Sequence, residues 1–150
     1  MWPFMLTRTY VFSKTIPTSR EELLRVVHDP MQSIALSPLF KFAEQDPKDP
    51  AWYTVTERLP VLGGLSESST TFRCSFANNE TGRYTEVFAG VGTHMDCTVL
   101  VEEIKENPNS AKFTEVVVLK GFILLMPYII STMSKAHYAI LDALVAKFAP

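Results

Sequence analysis

Between Trp52 and Lys120 one β-rich run follows another with only turn-forming residues between them, and a single long helical pattern then closes the chain. WYTVTERLPVL, STTFRCSFA, GRYTEVFAG, THMDCTVLVEEIKE and AKFTEVVVLK are separated by Gly63-Gly64, Asn79–Gly82, Gly90-Val91 and Asn107–Ser110. Strands joined by such short connections are antiparallel neighbours. Upstream, LTRTYVFSKTI is a long strand that Pro17-Thr18-Ser19 breaks. Ser19 offers an N-cap, with Glu21 and Glu22 in the first turn of a helix reaching about Val27. Asp29-Pro30 stops that helix, MQSIALSP gives a second short helix or turn, and LFKFAEQ is a strand before the DPKDP turn. Helices segregated from hairpin-linked strands make an α+β domain. No linker or repeat divides it, so residues 1–150 read as one domain.

At 150 residues, 47% hydrophobic and 20% charged, the chain can bury one sizeable core. A net charge of −2 with scattered signs lacks the basic stripe that nucleic-acid binding needs. Two cysteines, Cys74 and Cys97, make no disulfide framework and suit a reducing, cytoplasmic setting. The start, MWPFMLTR, lacks the pattern of a signal peptide. Without secretion, Asn79-Glu80-Thr81 reads as a polar turn and not as a glycosylation site.

Val116–Ile130 is the most apolar stretch, and it raises the question of a membrane span. A spanning helix needs about 20 apolar residues. This run is shorter, and Lys120, Gly121 and Pro127 interrupt it. Gly121 is expected to break the strand and Pro127 to occupy the first turn of a helix, leaving FILLM as a hydrophobic elbow between them.

In the terminal helix, Met133, His137, Leu141, Leu144 and Phe148 recur at spacings of four, four, three and four and form one apolar stripe. His137 is the polar exception within it. It is either a hydrogen-bonded core residue or a group that exchanges a proton with a ligand.

The hairpins add a carboxylate. If Asn79–Gly82 closes with a three-residue loop, Asn79 pairs with Arg83 and Phe76 faces Glu86. With a type II′ turn at Gly90-Val91, Met95 then faces Glu86 and Cys97 faces Tyr84. That register puts Phe72, Cys74, Phe76, Tyr84, Glu86, Phe88, Met95, Cys97 and Val99 on one face, and Arg73, Arg83, Thr85, His94, Asp96 and Thr98 on the other. A four-residue loop would instead leave Glu86 beside Arg73 as a surface ion pair. In the first register Glu86 sits among apolar side chains, where a carboxyl stays protonated or finds a partner such as His137. Glu115, inside FTEVVV, has an ambiguous face because the Asn107–Ser110 turn can close in more than one way. Three histidines without close spacing give no recognisable metal site. Cys74 and Cys97 lack an adjacent base, and no phosphate loop, nucleophile elbow or dinucleotide fingerprint is present.

The order of elements, strand, two short helices, about six strands and a long terminal helix, resembles the START-like helix-grip superfamily from Leu6 to Phe148. That superfamily includes polyketide cyclase/aromatase, birch-pollen allergen and lipid-transfer relatives. HDPMQSIALSPLF also resembles the corresponding segment of small fungal members. The glycine-rich loop of the allergen group is reduced here to Leu62-Gly63-Gly64-Leu65. The resemblance implies a curved antiparallel sheet of six to seven strands around the terminal helix, with an internal cavity. Glu86 and His137 are then the candidate acid–base pair. Phe72, Cys74, Phe76, Tyr84, Phe88, Met95, Met133 and Leu141 are the candidate lining for a small apolar molecule. Three functions follow: an enzyme without cofactor or metal that cyclises, isomerises or dehydrates a polyketide- or terpenoid-like intermediate; a carrier of a lipid or apolar metabolite; or a homodimerising module whose elbow buries against a second copy.

Overall fold

The computed structural model describes residues 4–61 and 66–150, with side chains from 59 to 67 left aside, so the Leu62–Leu65 loop lies outside the described residues. Seven strands form one antiparallel, curved sheet: β1 Met5–Ile16, β2 Phe40–Gln45, β3 Trp52–Val61, β4 Ser66–Asn79, β5 Gly82–Phe88, β6 His94–Glu103 and β7 Ala111–Phe122. Their order is β1-β7-β6-β5-β4-β3-β2, so only the β1–β7 pairing joins strands distant in sequence. Between β1 and β2 lie α1, Arg20–Val27, and α2, Pro30–Ile34. A 3-10 turn at Ile123–Leu125 leads into α3, Met126–Phe148, which packs mainly on β1 and β7.

The core lies between the inner face of the sheet and the helices. Phe12, Val55, Cys74, Val87, Cys97, Val99, Phe113 and Val117 meet Met126, Met133, Leu141 and Leu144 of α3, and α1 adds Leu23, Leu24, Val26 and Val27. The stripe expected on the terminal helix is therefore its buried face, while Asp142 on the opposite side pairs with Lys14 at 3.0 Å.

α1 starts at the Ser19 cap that the sequence implies, and Asp29, read there as the stop of α1, also starts α2. Ser19 accepts from the Glu22 amide, and Asp29 caps α2 by accepting from the Gln32 amide at 3.2 Å, with Pro30 in the first turn. Hydrogen bonds from Gln32, its side chain first and its amide second, hold the Asp29 carboxyl below its ordinary value of 3.8. Asp29→Ala is expected to cost about 1 kcal/mol at neutral pH, read from urea unfolding. The folded pKa is the lower one, so this contribution is present above pH 3.8 and disappears as pH falls through the folded value. A deficit that stays constant through that acid range would contradict the capping role.

Gly121 does not break β7. It pairs with Leu6 inside the strand, and its missing side chain makes room for α3, since a Cβ there would lie 2.9 Å from Met126 Sδ and 3.1 Å from Ile129 Cδ1. Pro127 does sit in the first turn of α3. The elbow keeps an apolar surface, with Leu124 and Tyr128 exposed.

The hairpin register is the main correction. Asn79 pairs with Gly82, not Arg83, across a two-residue loop of Glu80 and Thr81. The Asn79 side chain holds that loop by accepting from the Thr81 amide and hydroxyl at 3.0 and 3.1 Å. The next loop closes with Phe88 opposite His94. Its positive-φ residues are Val91 and Gly92, at 60° and 71°, as a type I′ turn requires and not the type II′ turn expected at Gly90-Val91. Moving the register by one residue exchanges the faces of a strand. Phe72, Cys74, Phe76, Met95, Cys97 and Val99 keep the inner positions expected of them. On β5, however, Arg83, Thr85 and Val87 face the core, while Tyr84, Glu86 and Phe88 face outward.

Candidate interior active site

The inward face of the central strands carries two polar rows. In one, Phe12 of β1 faces Glu115 of β7, Glu115 faces Val99 of β6, and Val99 faces Arg83 of β5. In the next, Thr85 faces Cys97, which faces Val117. Glu115 is 8% exposed and Thr85 7%, so both belong to the buried polar minority. A buried charge requires a partner.

Glu115 finds one above it. His137 of α3 brings its Nε2 to 3.4 Å from Glu115 Oε1. The imidazole is clamped from two sides: it stacks on Phe12 at a centroid distance of 4.7 Å, and Nδ1 donates to the Met133 carbonyl at 2.8 Å. A carbonyl only accepts, so the hydrogen resides on Nδ1 and Nε2 turns toward Glu115. Cys97 completes the group, its Sγ lying with Glu115 Oε and His137 Nε2 inside a span of 4.8 Å.

Arg83 supplies the positive charge on the other flank. Its Nη1 donates to the Val27 carbonyl at 3.0 Å and to Ser33 Oγ, which ties β5 to α1 and α2. The guanidinium also lies over the Phe76 ring at 5.4 Å. Part of the Arg83 side chain touches solvent, but the guanidinium is inside. Burial pulls its pKa down, and the Glu115 carboxylate opposes that shift. Arg83 Nε and Thr85 Oγ1 are buried with no protein partner. Burial pushes the Cys74 thiol up to about 12 and Cys97 upward as well, so in the folded chain neither is a thiolate nucleophile.

Glu86 and His137 are therefore not partners. Glu86 faces outward and meets His94 Nε2 at 3.1 Å, with Asp96 3.7 Å from the same nitrogen. Tyr84 donates to Asp96, and the hydrogen bond raises its pKa to about 12. Phe88 covers Trp52 at 5.8 Å and His94 at 4.8 Å. Tyr84 and Phe88 thus leave the candidate lining. Phe72, Phe76 and Met95 pack against the core, and Cys74, Met133 and Leu141 are inside it. A surface groove of about 650 Å³ lies along α1 between Glu21 and Pro30 and contains none of these groups. The sequence left the face of Glu115 ambiguous and placed Arg83 on the outer face; both are inside. A lone carboxylate between Phe113 and Val117 on an alternating strand was the available signal for Glu115.

The family profile that matches residues 7–150 is described as a domain of unknown function, DUF7053. The chain belongs to the DUF7053 family. No curated protein matches it. Among solved structures, this DUF7053 chain is similar to a START superfamily protein from Mycobacterium smegmatis, at 12% identity and a TM-score of 0.70, covering 93% of this chain and 96% of that one. It is similar to the Zhui aromatase/cyclase from Streptomyces sp. R1128, at 11% identity and a TM-score of 0.67, covering 95% and 94%. It is also similar to norcoclaurine synthase from Thalictrum flavum, at 15% identity and a TM-score of 0.68, covering 95% and 87%. At such identities the likeness is one of fold, and it supports the helix-grip relationship across nearly the whole DUF7053 chain. No helix of the described residues is long and apolar enough to cross a membrane.

Proposed function

We propose that this DUF7053 chain binds a small apolar molecule between the inner face of its sheet and α3, and that Glu115 and His137 move a proton on it. The observation that carries this reading is the buried pair itself. A ring nitrogen with a free lone pair and a carboxylate oxygen face each other in the interior at 3.4 Å, near enough for both to reach one small molecule. Phe72, Phe76, Met95, Met133 and Leu141 would line the binding space around the pair. The reaction class is cyclisation, isomerisation or dehydration of a polyketide- or terpenoid-like intermediate. One member of the pair takes a proton from a carbon beside a carbonyl, and the other returns a proton to the oxygen or to a second carbon. Proton transfer by a positioned side chain contributes typically about 10²–10⁴-fold to a rate. No cofactor is needed for that step. The cytoplasm is the proposed location.

The test is turnover of molecules that co-purify with the protein. Glu115→Gln and His137→Gln should each slow conversion by about 10²-fold or more while the molecule stays bound. Equal conversion by wild type and both variants would reject the pair. Bound molecules returned unchanged by all three proteins would favour a carrier, for which the mostly apolar lining argues. A dimer that excludes every apolar probe would favour the interaction module.

A further inference from the structure

Cys97, Glu115 and His137 bring three different metal-ligating atoms to one buried point from β6, β7 and α3, all within 4.8 Å of one another. They are far apart in sequence, so no spacing motif announces them. Two details separate this group from an ordinary ion pair. The first is length. His137 Nε2 and Glu115 Oε1 are 3.4 Å apart, longer than a direct hydrogen bond. Bonds of about 2.0–2.3 Å to a tetrahedral ion place its ligands roughly 3.3–3.8 Å from each other. The second is orientation. The Nδ1 hydrogen of His137 is committed to the Met133 carbonyl, which is how an outer partner fixes a ligating imidazole with its free nitrogen turned inward.

The geometry points to Cys97 Sγ, Glu115 Oε and His137 Nε2 as the protein ligands of a zinc-like divalent ion, with the fourth position left for water or an oxygen of a bound molecule. The thiolate, imidazole and carboxylate set suits zinc over magnesium or calcium, which prefer oxygen ligands. On binding, Cys97 gives up its thiol proton to solvent and the S–metal bond replaces S–H. The site then carries the carboxylate and thiolate charges against the ion's two positive ones. Arg83 holds the remaining positive charge, and its Nη1 is directed to Val27 and Ser33. The ion occupies the lone pairs that would otherwise take and return a proton, so the proton transfer proposed above belongs to the metal-free chain. The metal site does not rest on that proposal, and it is read without any organic ligand.

The experiment is titration of the purified, reduced, chelator-treated protein with Zn²⁺ by calorimetry and with Co²⁺ by near-ultraviolet and visible absorption. The expected result is one ion per chain and a thiolate-to-cobalt charge-transfer band. Cys97→Ser should abolish the band. His137→Gln should weaken binding by more than the roughly 10–100-fold that loss of an outer partner costs. Cys74→Ser, at the other buried thiol, should leave both unchanged and serves as a control for folding. A cobalt spectrum without the thiolate band overturns the inference. So does binding that survives His137→Gln but is lost in His94→Gln, which would move the ion to the outer Glu86, His94 and Asp96 group.

Discussion

Arg83→Met is expected to lose about 2–5 kcal/mol of stability in urea unfolding, since it leaves two buried acceptors without their donor at about 1–3 kcal/mol each. Methionine keeps much of the apolar stem but none of the donors. The Val27 carbonyl and Ser33 hydroxyl lose the guanidinium that joins them to β5, and the Glu115 carboxylate loses its neighbouring positive charge. Unsatisfied buried groups carry the cost of desolvation with no return. Arg73→Met supplies the contrast. Arg73 faces outward, half exposed, 3.6 Å from Asp46, and its loss should stay within about 1 kcal/mol. If the two substitutions cost the same, Arg83 is not the tie between the sheet and the first helices.

Gly82→Ala is the second large effect. An added Cβ would stand 1.9 Å from the Val99 carbonyl oxygen and 2.7 Å from its carbon. Both are backbone atoms of the partner strand, so no side chain can rotate away. The start of β5 must separate from β6, and the hydrogen bonds of His28 Nε2 to the Asn79 and Gly82 carbonyls are disturbed with it. A loss of about 3 kcal/mol or more is expected, at the upper end of overpacking effects. Gly90→Ala, where a Cβ meets nothing within 4 Å, should change stability by about 0.5 kcal/mol at most. Equal midpoints for the two variants would contradict the close approach at Gly82.

The fold was legible because it is written in repeated, local signals. Alternation marked the strands, Ser19 marked the start of α1, and the stripe from Met133 to Phe148 marked the face of α3 that is buried. The site was less legible because it depends on a parity. One residue in the Asn79–Gly82 loop decides whether Tyr84, Glu86 and Phe88 or Arg83, Thr85 and Val87 point inward. The more aromatic set looked like the core face, yet Phe88 covers Trp52 and His94 on the outside, and the inner set includes an arginine that Glu115 helps to keep charged. That compensation comes from β7, two strands away in the sheet, and no local pattern on β5 reports it. His137 was found because a lone polar residue on an apolar helix stripe stands out. Its partner was misassigned because the facing carboxylate came from a different strand.

The most direct test of the interior site is native mass spectrometry of the protein as purified, with extracted molecules identified, on wild type, Glu115→Gln and Glu86→Gln. The expected result is a bound apolar molecule in all three, with an unconverted precursor retained by Glu115→Gln alone and the same product on wild type and Glu86→Gln. A precursor that accumulates on Glu86→Gln, or one identical molecule on all three proteins, would contradict the assignment of the chemistry to the buried Glu115–His137 pair.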